Sequence, residues 1–258
     1  MKKNYSRSEF LKNLNIHNDW NSFLNDDILK LIQEAETKVI QNDYTPDKEK
    51  VLRFFELPLY SVKVIILGQD PYPQPGVATG RAFEVGNLKS WNDPFKNNSL
   101  KNILRALYKS YTNKVLKYND LKSKFDNVFP VLSPNKLFLH WEKQGVLLLN
   151  TFFTCEPGKP GSHKIIWEDF TSQLLFFINE NYREITWFLW GNSALEITEK
   201  MEIKNKIVSQ HPMMCFDGKN RNSDFLFGKI NCFKQLQNEI DWTGFNLSTE
   251  VKTEISLF

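Results

Sequence analysis

The sequence predicts an α/β protein, a three-layer sandwich in which a central, mostly parallel four-stranded sheet has helices on both faces. Two observations predict this fold class. Short apolar runs, each the length of a buried strand, end at glycine or a polar residue and recur along the chain. Segments with apolar residues at helical spacing alternate with these runs, and strands that alternate with helices form parallel sheets.

Four apolar runs supply the predicted strands. They cover residues 62–67, 146–150, 185–190 and 207–208. Six segments have a helical pattern, at residues 22–40, 47–55, 98–111, 167–179, 192–200 and 225–237. In a parallel sheet the carboxyl ends of the strands meet at one edge, and open α/β sheets bind their ligands there. Polar side chains that follow the runs are therefore candidate site residues.

Composition narrows the class of protein. Hydrophobic residues make up 41% of the 258 residues, which is ample for a packed core, and the length leaves open one large domain or two small ones. We find no apolar stretch of the roughly 18 residues that a membrane span needs. The basic N-terminus lacks the apolar segment of a secretory signal. The net charge of +3 is compatible with binding nucleic acid but does not demand it.

Cysteine and histidine usage favours a reducing compartment and no metal. The three cysteines are scattered and odd in number, which argues against a disulfide framework. None of the four histidines lies at metal-ligand spacing from a cysteine, so we expect no zinc site.

The most informative segment is the loop that follows the first predicted strand. Gly68 ends the apolar run, and Asp70 follows in a loop stiffened by Pro71, Pro73 and Pro75. A carboxylate on a rigid loop beyond a buried parallel strand lies where such sheets place active sites. The alternative is a turn in which Asp70 has only a local role, because Asp and Pro are common in turns.

Two further polar residues close predicted strands. Asn150 ends the apolar run that begins at Val146, and His211 follows the run at 207–208. Alternatively, Asn150 caps the next segment and His211 is a loop histidine before a proline. Because the strand ends share an edge, we expect Asp70, Asn150 and His211 to converge on one cleft.

Six short motifs then point to one family. GQDPYP stands at 68–73. The others are SLKNI at 99–103, LLLNT at 147–151, SHK at 162–164 with WEDF at 167–170, FLWG at 188–191 and QHP at 210–212. In this order, and over nearly the whole chain, they resemble the motifs of family-1 uracil-DNA glycosylases. The resemblance implies one such domain over residues 1–258, with loose ends at about 1–12 and 247–258.

The resemblance implies a monofunctional hydrolase that flips deoxyuridine out of DNA and hydrolyses the N-glycosidic bond, leaving free uracil and an abasic site. Asp70 would stay ionised, orient water and stabilise the positive charge that develops on the sugar. His211 would be neutral and would donate a hydrogen bond to uracil O2 as negative charge gathers there.

The resemblance also implies a uracil pocket. Asn150 would donate to O4 and accept from N3–H, a pattern that cytosine reverses. Tyr72 would exclude the methyl group of thymine, Phe83 would stack on the flipped base, and Gln69 would contribute backbone contacts. An ordinary core position is the alternative for Phe83, since the chain has 21 phenylalanines.

Contacts with the DNA backbone would come from Ser99, Ser162 and Ser209. Each serine could instead be a helix cap, above all Ser99, which precedes a helical run. Two departures from the family pattern bear on the pocket. The family's first motif usually reads GQDPYH, and Pro73 replaces its histidine. Arg81 stands where the family usually has leucine.

The largest departure is MMCF at 213–216, where the family has SPLS, followed by a longer polar loop at 217–224. The family inserts a leucine into the minor groove to hold the flipped base out, which requires an apolar side chain with bulk. Cys215 lies at about that position and is small, so Met214 or Phe216 would take its place. The preference between single and double strands stays open.

Two other interpretations remain. One is a glycosylase of the same fold with a shifted base or strand preference. The other is a non-catalytic DNA-binding relative, against which the intact polar triad argues. The sequence lacks the four cysteines of an iron–sulfur glycosylase and the H-x-E and P-C-x-x-C motifs of a zinc deaminase.

The partners and the location follow from the same interpretation. We expect a cytoplasmic monomer without metal, cofactor or membrane contact. Its partners would be uracil-containing DNA, single- or double-stranded, and a protein inhibitor that mimics DNA.

Overall fold

The structure, a computed structural model, describes residues 8–216 and 221–247. Its four strands are β1 (Val64–Gly68), β2 (Val146–Asn150), β3 (Thr186–Trp190) and β4 (Asn205–Ser209). They form one parallel sheet in the order β2-β1-β3-β4. All residues of β1 and β2 are buried, which explains their continuous apolar sequences. The predicted three-layer α/β sandwich is confirmed.

Eight α-helices accompany the sheet within the described residues. They are α1 (Asp26–Val39), α2 (Lys48–Val51), α3 (Asn98–Thr112), α4 (Tyr118–Lys122), α5 (Pro134–Lys143), α6 (Lys164–Asn181), α7 (Asn192–Ile197) and α8 (Cys232–Gln235). Three short 3₁₀ helices lie at Asn18–Trp20, Arg53–Glu56 and Leu59–Ser61. None of the helices in the described part of the chain is both long and apolar enough to span a membrane.

The predicted helix over residues 225–237 is wrong, because only Cys232–Gln235 are helical there. The Asp224 carboxylate accepts hydrogen bonds from the backbone N–H groups of Leu226 and Phe227, and these bonds hold the segment in a turn. The predicted helix at 47–55 is divided into α2 and the 3₁₀ turn at Arg53–Glu56. Helices α4 and α5 were not predicted, although proline at the first position of α5 is a start signal.

The chain divides into two compact units. The first contains the residues up to Asn87 together with Gly145–Trp187 and Ser193–Lys206. Its core is a cluster of aromatic rings in edge-to-face contact, in which Trp20 and Phe55 lie 5.0 Å apart and Phe153 and Trp167 lie 5.1 Å apart. The same unit contains β1, which leads into the loop with Asp70, and β2, which ends at Asn150.

The second unit contains Leu88–Gln144, Phe188–Asn192 and the residues from Ile207 onward. Trp242 is fully buried at its centre, with its ring 5.0 Å from that of Phe233 and 5.4 Å from that of Trp141. The indole N–H of Trp141 donates to the carbonyl of Trp242. The segment that contains His211 belongs to this unit.

The ends of the chain lie largely outside the described residues. Residues 1–7 and 248–258, where we expected loose termini, and 217–220 of the loop at 217–224 are not described. Within the described part, packing begins as early as Ser8, whose hydroxyl donates to the Glu36 carboxylate, and Phe10 is buried.

Candidate active site

The parallel pairing of β1 and β2 places Asp70 and Asn150 at the same edge of the sheet. Gly68 and Asn150 are register partners at the carboxyl ends of these strands. The pairing continues beyond them, since the N–H of Thr151 donates to the carbonyl of Gly68 and the N–H of Phe152 donates to that of Gln69. Asp70 therefore leaves the sheet beside the strand that ends in Asn150.

Gly68 makes room for the Asn150 side chain. A β-carbon at position 68 would lie 2.6 Å from Asn150 Oδ1 and 2.8 Å from the β-carbon of Ala82, closer than such atoms approach. Asn150 is buried, and its Oδ1 has no hydrogen-bond partner among the described residues. A buried acceptor without a partner is rare in a folded protein and indicates a place for a donor from a ligand.

The carboxylate of Asp70 also has a buried oxygen, Oδ1, without a hydrogen-bond partner in the part of the chain that is described. Burial raises the pKa of Asp70 to about 6, and a hydrogen bond from the N–H of Gly161 acts in the opposite direction. Asp70 is therefore ionised at neutral pH and takes up a proton in mildly acidic solution.

Phe83 has a left-handed backbone conformation, with a φ of 65°. This region is unfavourable for a residue with a large side chain, and such strain occurs preferentially at functional sites. The N–H of Ala82 donates to the carbonyl of Leu148, which ties this turn to β2. The hydroxyl of Tyr72 donates to the carbonyl of Phe83 at 3.4 Å, so these two predicted pocket residues are in contact.

Gln69 is exposed, and its side chain meets a residue that the sequence analysis missed. The hydroxyl of Ser193 donates to Gln69 Oε1 at 3.1 Å. Ser193 lies two residues beyond Gly191, which ends the FLWG run. A polar residue just after a predicted strand is the sequence signal that could have indicated it. The carbonyl of Gln69 accepts from both the N–H of Phe152 and the hydroxyl of Thr151.

Ser162 lies in an exposed loop next to Gly161, which donates to Asp70. Its hydroxyl accepts a hydrogen bond from the N–H of Glu156. The N–H of Gly158 in the same loop donates to the carbonyl of Pro73, so this loop is tied to the proline-rich segment. Ser162 thus stabilises the loop that delivers the Gly161 N–H to the carboxylate.

His211 belongs to the second unit, two residues beyond the end of β4. The N–H of Met213 donates to His211 Nδ1 at 3.1 Å, so a neutral ring carries its proton on Nε2. Burial lowers the pKa of His211, which keeps the imidazole neutral at neutral pH. Gly191, with a φ of 88°, packs against this histidine, and a β-carbon there would lie 2.8 Å from His211 Cβ.

The segment after His211 is fastened to α3. Asn102, in α3, donates to the carbonyl of Pro212 at 2.7 Å. Ser99 is partly exposed in the first turn of α3, whose N-cap residue is Asn97, so Ser99 is not the cap. Ser209 is 8% exposed, and its hydroxyl donates to the carbonyl of Gln210, which leaves this serine little surface for a ligand.

The candidates for the groove wedge differ in exposure. Met214 and Phe216 are about half exposed, whereas Cys215 is only partly exposed and its thiol donates to the carbonyl of Pro212. Burial raises the pKa of Cys215 to about 12, so this thiol is not ionised at neutral pH. The guanidinium of Arg221 lies over the Phe216 ring, 5.0 Å from its centroid.

The first unit thus contains six of the predicted site residues: Gln69, Asp70, Tyr72, Phe83, Asn150 and Ser162. The second unit contains Ser99, Ser209, His211, Met214, Cys215 and Phe216. Among the residues that the structure describes, no three His, Cys, Asp or Glu side chains lie together as metal ligands do. The first group offers a carboxylate that is ionised at neutral pH beside an amide acceptor and an aromatic ring. The second group offers a neutral imidazole donor.

The protein is of the parallel α/β class, and at the carboxyl edge of its sheet one oxygen of Asp70 and one of Asn150 are buried without a partner among the described residues. Comparisons with known proteins show the family. Residues 54–235 match the model of the uracil DNA glycosylase superfamily. The chain is 35% identical to the uracil-DNA glycosylase of Fusobacterium nucleatum over 240 residues, which cover 88% of this chain and 96% of that protein. It is also 35% identical to the uracil-DNA glycosylase of Borreliella burgdorferi over 188 residues, 69% of this chain and 74% of that one.

The fold is also similar to that of a solved structure from the same family. A variant of mimivirus UNG in complex with UGI has a TM-score of 0.58 and 26% identity, covering 76% of this chain and 70% of that chain. The chain belongs to the uracil DNA glycosylase superfamily.

Proposed function

We propose that this protein excises uracil from DNA by hydrolysing the bond between the base and the deoxyribose, as a monofunctional glycosylase of family 1. The observation that carries the proposal is the pair of buried oxygens without partners, Asp70 Oδ1 and Asn150 Oδ1, on loops that leave neighbouring parallel strands. One is suited to stabilising a cation and activating water, and the other to accepting a hydrogen bond from a base.

Asp70 would act on the sugar. As the N-glycosidic bond breaks, positive charge develops on the deoxyribose, and an ionised carboxylate stabilises that charge and orients the attacking water. A pKa of about 6 keeps the group ionised at neutral pH. Its partly buried position strengthens its interaction with the cation, because the local dielectric constant is lower than that of water.

His211 would act on the departing base. With Nδ1 accepting from Met213, the neutral ring can donate only from Nε2, and we assign this donor to uracil O2. A hydrogen bond aimed at an oxygen that gains charge in the transition state lowers the barrier more than it stabilises the ground state.

The pocket residues would select uracil over the other pyrimidines. Asn150 Oδ1 would accept from N3–H and its amide N–H would donate to O4, whereas cytosine presents the reverse pattern. The Tyr72 ring would occupy the space of the thymine methyl. Phe83 would stack on the base, and Gln69 would contact it through backbone atoms.

DNA contacts would come from loops of both units. Ser99 and Ser162 are accessible to a phosphate, and Ser209 would contribute least because it is buried. For the groove wedge we favour Met214 and Phe216 over Cys215, because the first two expose apolar bulk and the thiol faces its own chain.

We also propose that the two compact units form one functional domain, a monomer in the cytoplasm that uses neither metal nor cofactor. Binding of an inhibitor that mimics DNA is supported by the mimivirus UNG structure in complex with UGI.

The test is an excision assay on oligonucleotides that carry one deoxyuridine, in single and double strands and with a chelator present. Alkaline cleavage of the abasic site detects the product. Matched oligonucleotides with thymidine or deoxycytidine serve as controls. We expect cleavage only at uracil. Absence of product from both uracil substrates would overturn the proposal, and rescue by a divalent metal would overturn its metal-independent form.

A further inference from the structure

The turn that carries Phe83 is strained, and strain of this kind needs support. Phe83 has a φ of 65°, a region that side chains with a β-carbon disfavour. A residue stays in such a conformation only where its surroundings over-determine it.

Arg81 and Glu84 form an ion pair across this turn. Arg81 Nη1 lies 3.0 Å from Glu84 Oε2, and the two side chains are 12% and 7% exposed. The two residues stand on either side of Phe83 in the sequence, so the pair joins the backbone before the strained residue to the backbone after it. Because both charges are buried, removal of one partner would leave the other uncompensated.

Other contacts fix the same segment. The N–H of Gly86 donates to the carbonyl of Val77 at 2.8 Å, and this bond closes a wider loop around Phe83. The N–H of Ala82 donates to Leu148, and the N–H of Arg81 donates to the hydroxyl of Thr79 at 3.2 Å. The hydroxyl of Tyr72 reaches the carbonyl of Phe83 at a long 3.4 Å. The Arg81–Glu84 ion pair also spans Phe83, and it joins side chains within two positions of this residue, closer in sequence than Val77 and Gly86.

We infer that the Arg81–Glu84 ion pair is a positioning device that holds the Phe83 ring in place for a flipped base, so that breaking the pair weakens uracil binding. The inference rests on the proposed function, in which Phe83 stacks on uracil. It adds two positioning residues that touch neither the base nor the sugar.

The experiment is a double-mutant cycle on uracil affinity. The dissociation constant of free uracil, from calorimetry, and the single-turnover excision rate are measured for Arg81→Met, Glu84→Gln and the double variant. We expect each single variant to bind uracil about tenfold more weakly, and the double variant to be no worse than either, within the coupling found between contacting side chains. Arg81→Lys, which retains the charge, should recover part of the loss.

A matched control is available in the same unit. Glu180 and Arg183 form an ion pair of the same residue types and spacing, with N and O 3.3 Å apart and both side chains well exposed. It lies ahead of β3, at the opposite edge of the sheet from Asp70. Glu180→Gln and Arg183→Met should leave uracil affinity unchanged.

The outcomes are distinct. Unchanged uracil affinity and excision in both single variants, even with a lower melting temperature, would make the pair purely structural and overturn the inference. Losses that simply add in the double variant would also overturn it, because the side chains would then act separately. A wild-type protein that neither binds nor excises uracil would overturn the proposed function, and this inference with it.

Discussion

The burial of the Asp70 carboxylate lowers the stability of the fold at neutral pH. Burial disfavours the charged carboxylate, so the pKa in the folded protein is about 6, above the ordinary value of 3.8. The folded state therefore binds the proton more tightly than the unfolded state does. Stability from this group is greatest in acid and is lost as the pH rises through about 6.

The acid limb of the pH–rate profile follows from this residue. We expect the excision rate to fall below a pH of about 6, since protonation of Asp70 removes the anion that stabilises the sugar cation. Burial lowers the pKa of His211, so the imidazole is neutral at neutral pH. Single-turnover rates between pH 5 and 8 measure the limb.

A variant at His211 separates the two groups. His211→Gln should be slower at every pH but should retain the same acid limb. A limb that disappears in this variant would assign the titration to the histidine instead of the carboxylate.

Discrimination against thymine is expected to depend on the Tyr72 ring and not on its hydroxyl. Tyr72→Ala should begin to excise thymine, because space for the methyl group opens. Tyr72→Phe, which keeps the ring and removes the hydroxyl that donates to the Phe83 carbonyl, should remain specific for uracil. Release of base from thymine- and uracil-containing oligonucleotides measures both. Equal specificity of the two variants would remove Tyr72 from its assigned role.

At the scale of the element, the edge formed by β1 and β2 decides the geometry of the site. The parallel register sets Gly68 against Asn150, and absence of a side chain at 68 gives the amide its space. Backbone hydrogen bonds continue the pairing through Gln69, so the loop before Asp70 is fixed by the sheet. The site is therefore held by a rigid element, which favours precise positioning of catalytic groups.

Gly68→Ala tests this arrangement. The added methyl group would meet Asn150 Oδ1 at 2.6 Å and should displace the amide, with a destabilisation of about 1–3 kcal/mol. We expect uracil affinity to fall at least tenfold. Gly76→Ala is the control. Gly76 lies in the loop after β1, and a β-carbon there would meet no other atom within 4 Å, so this variant strains the backbone but should leave uracil affinity intact. Normal uracil binding by Gly68→Ala would contradict the assigned position of Asn150.

Periodicity predicted the elements with strong patterns. The apolar run at 146–150 coincides with β2, and helical spacing at 98–111 places α3 to within one residue. The prediction for the segment at 225–237 was wrong. Its turn is formed by hydrogen bonds that the Asp224 carboxylate accepts, and these depend on a side-chain direction that periodicity does not contain.

Strand ends similarly indicated Asp70, Asn150 and His211, but not what surrounds them. The hydrogen bond from Gly161 to Asp70 joins residues 91 positions apart, and the Arg81–Glu84 pair depends on the conformation of a turn. Such contacts are decided by tertiary structure. The strained φ of Phe83 also had no sequence signal, because phenylalanine does not ordinarily adopt it.

At the scale of the whole molecule, the proposed chemistry is divided between the two compact units. Asp70, Asn150 and Phe83 belong to the first and His211 to the second. Each unit has its own aromatic core. The cores supply the stability that the site residues reduce.

Asp70→Asn should therefore make the protein more stable as well as inactive. The neutral amide avoids the burial of a charge, so the free energy of unfolding at pH 7.5 should rise by about 2 kcal/mol, with allowance for partial exposure. At pH 4 the gain should vanish. Urea denaturation at the two pH values measures it, and confirms that any loss of activity is not due to unfolding.

The central claim is that the Asp70 carboxylate carries the hydrolysis, and its most direct test is the single-turnover excision rate of Asp70→Asn on a single-uracil duplex at pH 7.5. We predict a rate at least about 10³-fold below that of the wild type, with DNA affinity unchanged. A variant that excises uracil at close to the wild-type rate would contradict the account.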